Sequence, residues 1–326
     1  MKKRTIQKGK ALDAVIRYSG YIAFILVAAV FSIKSKVFLK PQNIANILLQ
    51  SSVLGVISFG LTGIFIGGGD DVIRGGTDLS IANNMAFSAC VVAVLLSKGL
   101  PLAAAILIAL LVSLLIGAIN AVGVVAFKMV PLLSTLSMMY ILQGLEKIIS
   151  GNVVIPVENC FFRVLKEGTF LGIPAMVYVF VAVSVCMYLL YNVSRFGNWI
   201  SAIGGSVLAA KASGIAVEKI TALSYILAGI PATIAGLLLL ARLSAFNPGQ
   251  GDLMLFDVML VSYLGAVFSK QYRPNVWGTF ISALFIGMIS NGFAIMNISS
   301  YWIYGIKGLL IIITVSITTV RKRKVA

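Results

Sequence analysis

The chain has 326 residues, 60% of them hydrophobic and 11% charged, with 26 lysines and arginines against 10 acids and a net charge of +16. A mean hydropathy of +1.03 is far outside the range of a soluble globular domain and points to an integral membrane protein. Histidine is absent, which excludes histidine triads, histidine acid–base chemistry and histidine metal sites.

A spanning helix needs about 20 mostly apolar residues, because hydrocarbon offers backbone amides no partners and each must be satisfied within its own helix. In chain order, a basic segment over 1–17 precedes apolar runs at 18–33, 44–67, 79–97, 102–127, 132–149, 171–193, 220–241, 254–268, 276–296 and 301–319. These predict ten spans in one membrane domain over 18–320, closed by a basic tail at 321–326. The first span follows basic residues as a signal peptide would, yet VAAVFSIKSK at 27–36 offers no cleavage site. It is expected to be a retained helix.

Lysine and arginine in short loops favour the cytoplasmic side. With the N-terminus inside, 17 of the 26 cations are cytoplasmic, against a minority that includes Lys34, Lys36 and Lys40 in the first external loop. Ten spans then put both termini in the cytoplasm, together with the loop after the sixth span. The basic ends serve topology and contact with anionic lipid. No basic stripe interleaved with aromatics suggests nucleic acid.

Little in the chain supports catalysis. Cys90, Cys160 and Cys186 are too scattered for a zinc spacing or a disulfide framework and are expected to be packing residues. There is no GxxxxGK[ST] loop for ATP. Asp70, Asp71 and Asp78 in GGGDDVIRGGTDLS, 67–80, resemble an intramembrane magnesium–diphosphate site. Such an enzyme also needs an acid on a facing helix, and only Asp257 lies within another span. Pairing of Arg74 with Asp70 or Asp71 in a polar loop is the simpler account.

Residues 196–217, FGNWISAIGGSVLAAKASGIAV, form a small-residue stretch between two spans. Ser206 suits an N-cap and Gly214 a left-handed helix end. The short helix expected over 206–213 carries Ala209, Ala210, Ala212 and Ser213 and one charge, Lys211. Its small side chains suit a groove on a partner protein; the alternative is an interfacial connector.

This segment resembles the cytoplasmic coupling segment of permease subunits from bacterial ribose/galactose-type ABC importers, the simple-sugar and autoinducer-2-like group. GGTDLS at 75–80, GAINAVG at 117–123, PLLSTL at 131–136, Gly278 with Thr279, Asn291 with Gly292, and YWIYGIKG at 301–308 also resemble that family's motifs, in the family's order. The resemblance implies an all-α membrane fold of the type II ABC importer permease kind, with about ten transmembrane helices in two inverted halves that make the third and eighth spans counterparts. It implies a non-catalytic subunit of the bacterial plasma membrane that binds no cofactor or metal, ATP and magnesium being held by a separate ATPase. The implied partners are ABC ATPase subunits, an extracytoplasmic sugar-binding protein, and a second permease that is either an identical copy or a relative. Coupling to the ATPase falls on Phe196, Gly197, Ala202, Ile203, Gly204, Gly205, Ser206, Ala209, Ala210, Lys211, Ser213 and Gly214.

Polar residues within spans face a cavity or one another, since a charge at the bilayer centre costs about 2.5–3.5 kcal/mol. Asp78, Asn83, Asn84, Asn120, Gln143, Asp257 and Asn291 are therefore candidates for the sugar path, with helix–helix hydrogen bonding as the alternative. Several positions depart from the family pattern: Ala82, the lengthened loop before the signature, Asn198, Ser206, and the 270–275 turn KQYRPN in place of a glycine-rich one. They suggest a divergent member with a different permease partner or an unusual cargo. An ion-coupled secondary transporter is the competing class, but it would need paired acids near mid-membrane.

Overall fold

A computed structural model describes residues 18–68, 76–269, 273–299, 302, 303, 305–310 and 312. The basic N-terminal segment, Asp70, Asp71, Arg74, residues 270–272, most of the expected tenth span and the basic tail lie outside them.

Helix α1, Ser19–Lys34, leads through a short turn into α2, Pro41–Gly68, at 28 residues the longest described helix. At 1.5 Å per residue α2 is about 42 Å long, and it is buried without a break from Ser51 to Phe65. Apolar on all sides, it has to be an interior helix. Lipid tails are as apolar as leucine, so helices here associate by close packing and polar contacts rather than by escape from water. The sequence of α2 meets that need with small and hydroxyl residues. A Cβ on Gly63 would lie 1.9 Å from the Tyr191 hydroxyl. Ser58 and Thr62 bond back to the carbonyls four residues earlier, at 2.7 and 2.8 Å, and Thr62 also meets the Thr279 hydroxyl at 2.7 Å.

The second interior helix is α3, Ile81–Ser97, buried from Ile81 to Val94. Helix α4, Leu102–Ala121, shows an inverted pattern that suits a lipid-facing position. Ala105, Ala109, Ser113, Ile116, Gly117 and Asn120 form its buried stripe, while Leu107, Leu111 and Leu115 are exposed. Helices α5, Pro131–Ser150, and α7, Ala175–Tyr188, follow, with α6, Cys160–Glu167, between them. Helices α4 and α7 each end in one π turn, Val122–Ala126 and Leu189–Val193. Then come α8, Arg195–Gly205, α9, Val207–Ala212, α10, Val217–Leu227, α11, Gly229–Leu243, α12, Gln250–Val267, and α13, Val276–Ile295.

Two antiparallel pairs of two-residue strands sit at the end of the bundle opposite α8 and α9. β1, Ile155–Pro156, pairs with β4, Ala245–Phe246, and β2, Thr169–Phe170, with β3, Ile173–Pro174.

Six described helical segments are long and apolar enough to cross a membrane: Pro41–Gly68, Leu102–Ala126, Ala175–Val193, Val217–Leu243, Gln250–Val267 and Val276–Ile295. Gly20–Lys34 and Ile81–Ser97 are shorter apolar helices. Three expected boundaries change. The span expected at 171–193 starts later, because Leu171 and Gly172 take positive φ of 50° and 77° and make a hairpin turn before the helix. The span at 220–241 is two helices meeting at Ala228, since Pro231 has no N–H to offer the Leu227 carbonyl. The span at 254–268 begins instead at Gln250, behind Gly249 with φ 80°. Among the cysteines, Cys90 is buried, but Cys160 and Cys186 are exposed and do not pack the interior as expected.

Among the described residues the closest helix backbones are those of α12 and α13, where a Cβ on Gly278 would come 1.9 Å from the Gly265 carbonyl. Gly278→Val should force the helices apart and cost about 1–3 kcal/mol. A thermal melt of the purified protein in detergent reads this directly, and an unchanged midpoint would refute the close backbone contact.

Candidate functional site

The predicted residues fall into two sets. The first is the 196–217 segment, which the structure resolves into a helical elbow rather than one short helix. Helix α8 starts at Ser194, whose hydroxyl accepts from the Gly197 N–H at 3.2 Å. It ends at Ser206, which in turn caps α9 by accepting from the Ala209 N–H at 3.3 Å. The expected cap is therefore present, and so is the left-handed end at Gly214, φ 79°. The earlier helix is not legible in 196–217 alone, because its cap, Ser194, lies upstream of that segment.

Packing divides the segment into two faces. Gly197, Ile200 and Ile203 on α8 and Ala210 on α9 are buried. Gly197 must be glycine, since a Cβ there would meet the Tyr191 carbonyl at 2.2 Å, where α8 folds back against the π turn ending α7. The Phe196 ring lies 5.9 Å from that of Tyr191. Ile200 seats against Gly67 at the end of α2. Gly197, Ile203 and Ala210 thus hold the elbow to the bundle and are not available as contact surface. Ala202, Gly205, Ser206, Ala209, Lys211, Ser213 and Gly214 face out, with Gly204 half-buried. Leu208, not singled out from sequence, protrudes furthest, 82% exposed beside Val207 at 48%. The Lys211–Glu218 ion pair at 2.6 Å is exposed at both ends and adds little to stability.

The second set is the polar residues of the spans, most of which donate to or accept from one another, although the side-chain oxygens of Asn83, Asn84 and Asn120 are buried without a partner. Asp78 is buried, and its Oδ1 accepts from the Ser80 backbone N–H at 2.8 Å and the Ser80 hydroxyl at 2.6 Å. Asn120 donates to that same hydroxyl at 2.8 Å. The Leu79 N–H donates to Thr135 Oγ1 at 3.1 Å, and the Tyr225 hydroxyl to the Thr77 carbonyl at 3.1 Å. The signature turn before α3 is thereby fastened to α4, α5 and α10. An aspartate bonding the backbone two residues on is a turn device, and here it is sealed from solvent.

Asn83 and Gln143 converge on one atom, Oδ1 of Asp252, donating at 2.8 and 2.7 Å. Asp252 lies in the first turn of α12, where the helix dipole favours an acid. One turn from Gln143, the buried Glu146 accepts from the Gly249 N–H at 2.7 Å. Asn84 donates to the Ser113 carbonyl at 3.2 Å. Asp257 is paired with Lys307 at 2.8 Å. Asp252 lies ahead of the apolar run that begins at 254, in a first turn that hydropathy does not mark, and Lys307 is a single cation in an otherwise apolar run.

Asn291 stands apart from these groups. It lines a cavity of about 270 Å³ at the end opposite the elbow, with Asn46, Leu49, Gln50, Lys166, Met176 and Arg242. Nearby, a cavity of about 460 Å³ is lined by Glu158, Asn159, Arg163, Lys166, Glu167 and Ser244, among others.

A family described as "Branched-chain amino acid transport system / permease component" matches residues 43–315. The ribose import permease protein RbsC of Bacillus subtilis (strain 168) is 31% identical over 315 residues, covering 96% of this chain and 96% of that protein. RbsC of Haemophilus influenzae is 30% identical over 307 residues, 92% of each chain. The galactose/methyl galactoside import permease protein MglC of Escherichia coli (strain K12) is 26% identical over 320 residues, 92% of this chain and 93% of that protein. No solved structure matches the chain.

The signature turn supplies a direct test. Ser80→Ala removes the hydroxyl shared by Asp78 and Asn120 and leaves two buried groups short of a partner, at a cost of about 1–3 kcal/mol. The expected result is a lower melting midpoint in detergent, and a wild-type midpoint would show that the network does not hold the turn.

Proposed function

The chain belongs to the branched-chain amino acid transport system / permease component family, and from that premise we propose that it is the membrane permease subunit of an ATP-driven importer of a monosaccharide or similar small carbohydrate. A sugar is favoured over an amino acid because the relatives that cover nearly the whole chain are named for ribose and galactose import. The chain is a multi-pass membrane protein, and its role is transport rather than catalysis.

The partners follow from this reading: an ABC ATPase, an extracytoplasmic sugar-binding protein, and a second permease, identical or related. The ATPase docks on α8 and α9, on the cytoplasmic side with both termini. The observation that carries this is the elbow itself, with two serine-capped helices whose inner face is locked to α2 and α7 and whose outer face projects Leu208. A surface that is rigidly seated behind and apolar at its tip suits a groove that has to push on the bundle.

Ten spans arise by counting α1, α2, α3, α4, α5, α7, the α10–α11 pair, α12, α13 and one more for the last apolar run, of which residues 302, 303, 305–310 and 312 are described and helical. An offset of five makes α3 and α12 counterparts in two inverted halves. Their first turns meet through Asn83 and Asp252 at 2.8 Å, as related half-helices converging on the bundle centre would. Among the polar residues, the Asn83–Gln143–Asp252 group is the best placed to meet cargo, because Asp252 is exposed. Asp78, fully engaged by Ser80, serves the fold. Ion-coupled transport is disfavoured because Asp257 is already paired with Lys307.

Leu208→Asp should leave expression and melting unchanged yet lower sugar uptake at least about tenfold, the loss expected when an apolar anchor is removed from an interface. The measurement is uptake of labelled sugar by cells that also carry the ATPase and binding protein. Normal uptake would remove the elbow as the docking element. Ala210→Trp, by contrast, should fail at folding, since Ala210 is 2% exposed.

A further inference from the structure

The cavity at the end opposite the elbow holds an unbalanced set of polar groups. Asn46 and Gln50 stand one turn apart on α2, Arg242 comes from the last turn of α11, Asn291 from α13, and Lys166 from α6. Two cations and three carboxamides line the space, together with Leu49 and Met176, and no carboxylate does.

These groups also lack partners. Among the described residues, Arg242, Asn46 and Gln50 make no side-chain hydrogen bond or ion pair. The Asn291 side-chain oxygen is buried with no partner, in a residue only 6% exposed. Only Lys166 is engaged, donating to the Ser244 hydroxyl at 2.8 Å. A half-buried guanidinium with five donors and no counter-charge is costly unless something supplies the anion. The carboxamide oxygens of Asn83, Asn84 and Asn120 are likewise buried without a partner, but the acids of those clusters are engaged. Asp252, Asp257 and Asp78 each have their donors within the bundle.

We propose that this cavity binds a polyol bearing one anionic oxygen group, with the anion on Arg242 and Lys166 and the hydroxyls on Asn46, Gln50 and Asn291. The planar guanidinium takes a carboxylate or phosphate through two parallel hydrogen bonds. The carboxamides offer both donors and acceptors, as hydroxyl groups require. At about 270 Å³, the cavity has room for one monosaccharide-sized group. Two sources share this chemistry: a sugar acid in solution, and the glycerol phosphate headgroup of phosphatidylglycerol. The inference goes beyond the permease assignment and stands whether or not the elbow docks an ATPase.

The test uses the purified full chain in nanodiscs of phosphatidylcholine, with and without phosphatidylglycerol. In one arm, radiolabelled D-gluconate is titrated by equilibrium dialysis with D-glucose as competitor. In the other, phosphatidylglycerol is quantified by mass spectrometry after purification, and its effect on the melting midpoint is measured. Gluconate binding that glucose does not displace identifies a soluble acid; retained phosphatidylglycerol that raises the midpoint identifies a lipid headgroup. In either case Arg242→Gln should weaken binding about tenfold or more, as loss of a charged hydrogen-bonding partner does, and Arg242→Lys should restore part of it. Gln50→Leu serves as the independent variant if Arg242→Gln does not fold. The proposal is overturned if neither ligand binds, or if the folded variants bind as the wild type does. Sugar uptake by wild-type cells, measured alongside, keeps that failure distinct from failure of the permease reading.

Discussion

Helix backbones in this protein have to touch, because within a bilayer there is no gain from hiding one apolar surface against another. Helix α2 shows how much depends on this. Its glycines and hydroxyl residues admit the Tyr191 hydroxyl and the Thr279 side chain to its surface. Partners on either side are brought within contact distance: α13 through Thr62, α12 through Ser58 and Ser262, and α8 through Gly67 and Ile200. The elbow is seated and the α12–α13 pair is placed because this one helix can be approached so closely.

The same constraint explains where polar residues went. A carboxamide or carboxylate within a span must find a partner there, and the groups that could have lined a solute path mostly satisfy each other. Asp78, Ser80 and Asn120 fix a turn, and Asp257 finds Lys307. What remains for solute is the exposed Asp252 and the unpaired Arg242 of the cavity at the end away from the elbow.

Much of this was legible in the residues themselves. Apolar run length located the six segments long and apolar enough to cross a membrane and two shorter apolar helices, since a window of about 20 residues reports hydrocarbon thickness directly. The caps at Ser206 and Gly214 could be read because hydroxyl acceptors and positive φ are local demands. What escaped notice was the direction in which each side chain points. Ala210 and Leu208 are two residues apart in one small-residue run, yet one is buried and the other stands free, and only the seating of α8 and α9 decides which. The partner of Asp257 lies 50 residues away in the chain, and no local pattern links Asn83 and Gln143 to Asp252. The turn at Leu171–Gly172 was hidden for a simpler reason, because leucine at positive φ leaves no compositional trace.

The break at Ala228 has a mechanical meaning. Helix α10 follows the elbow with only the 213–216 turn between them and runs as a stiff rod of 11 residues, about 16 Å. Its far end rests on α4, where Gly117 leaves the Tyr225 carbonyl room to sit against it, and the Tyr225 hydroxyl reaches the signature turn at Thr77. If the elbow docks an ATPase as proposed, the rod would act as a short lever with its fulcrum at the break: a thrust at the elbow would pass to the turn that launches α3, while α11 beyond the break is held against Met85 and Ala89.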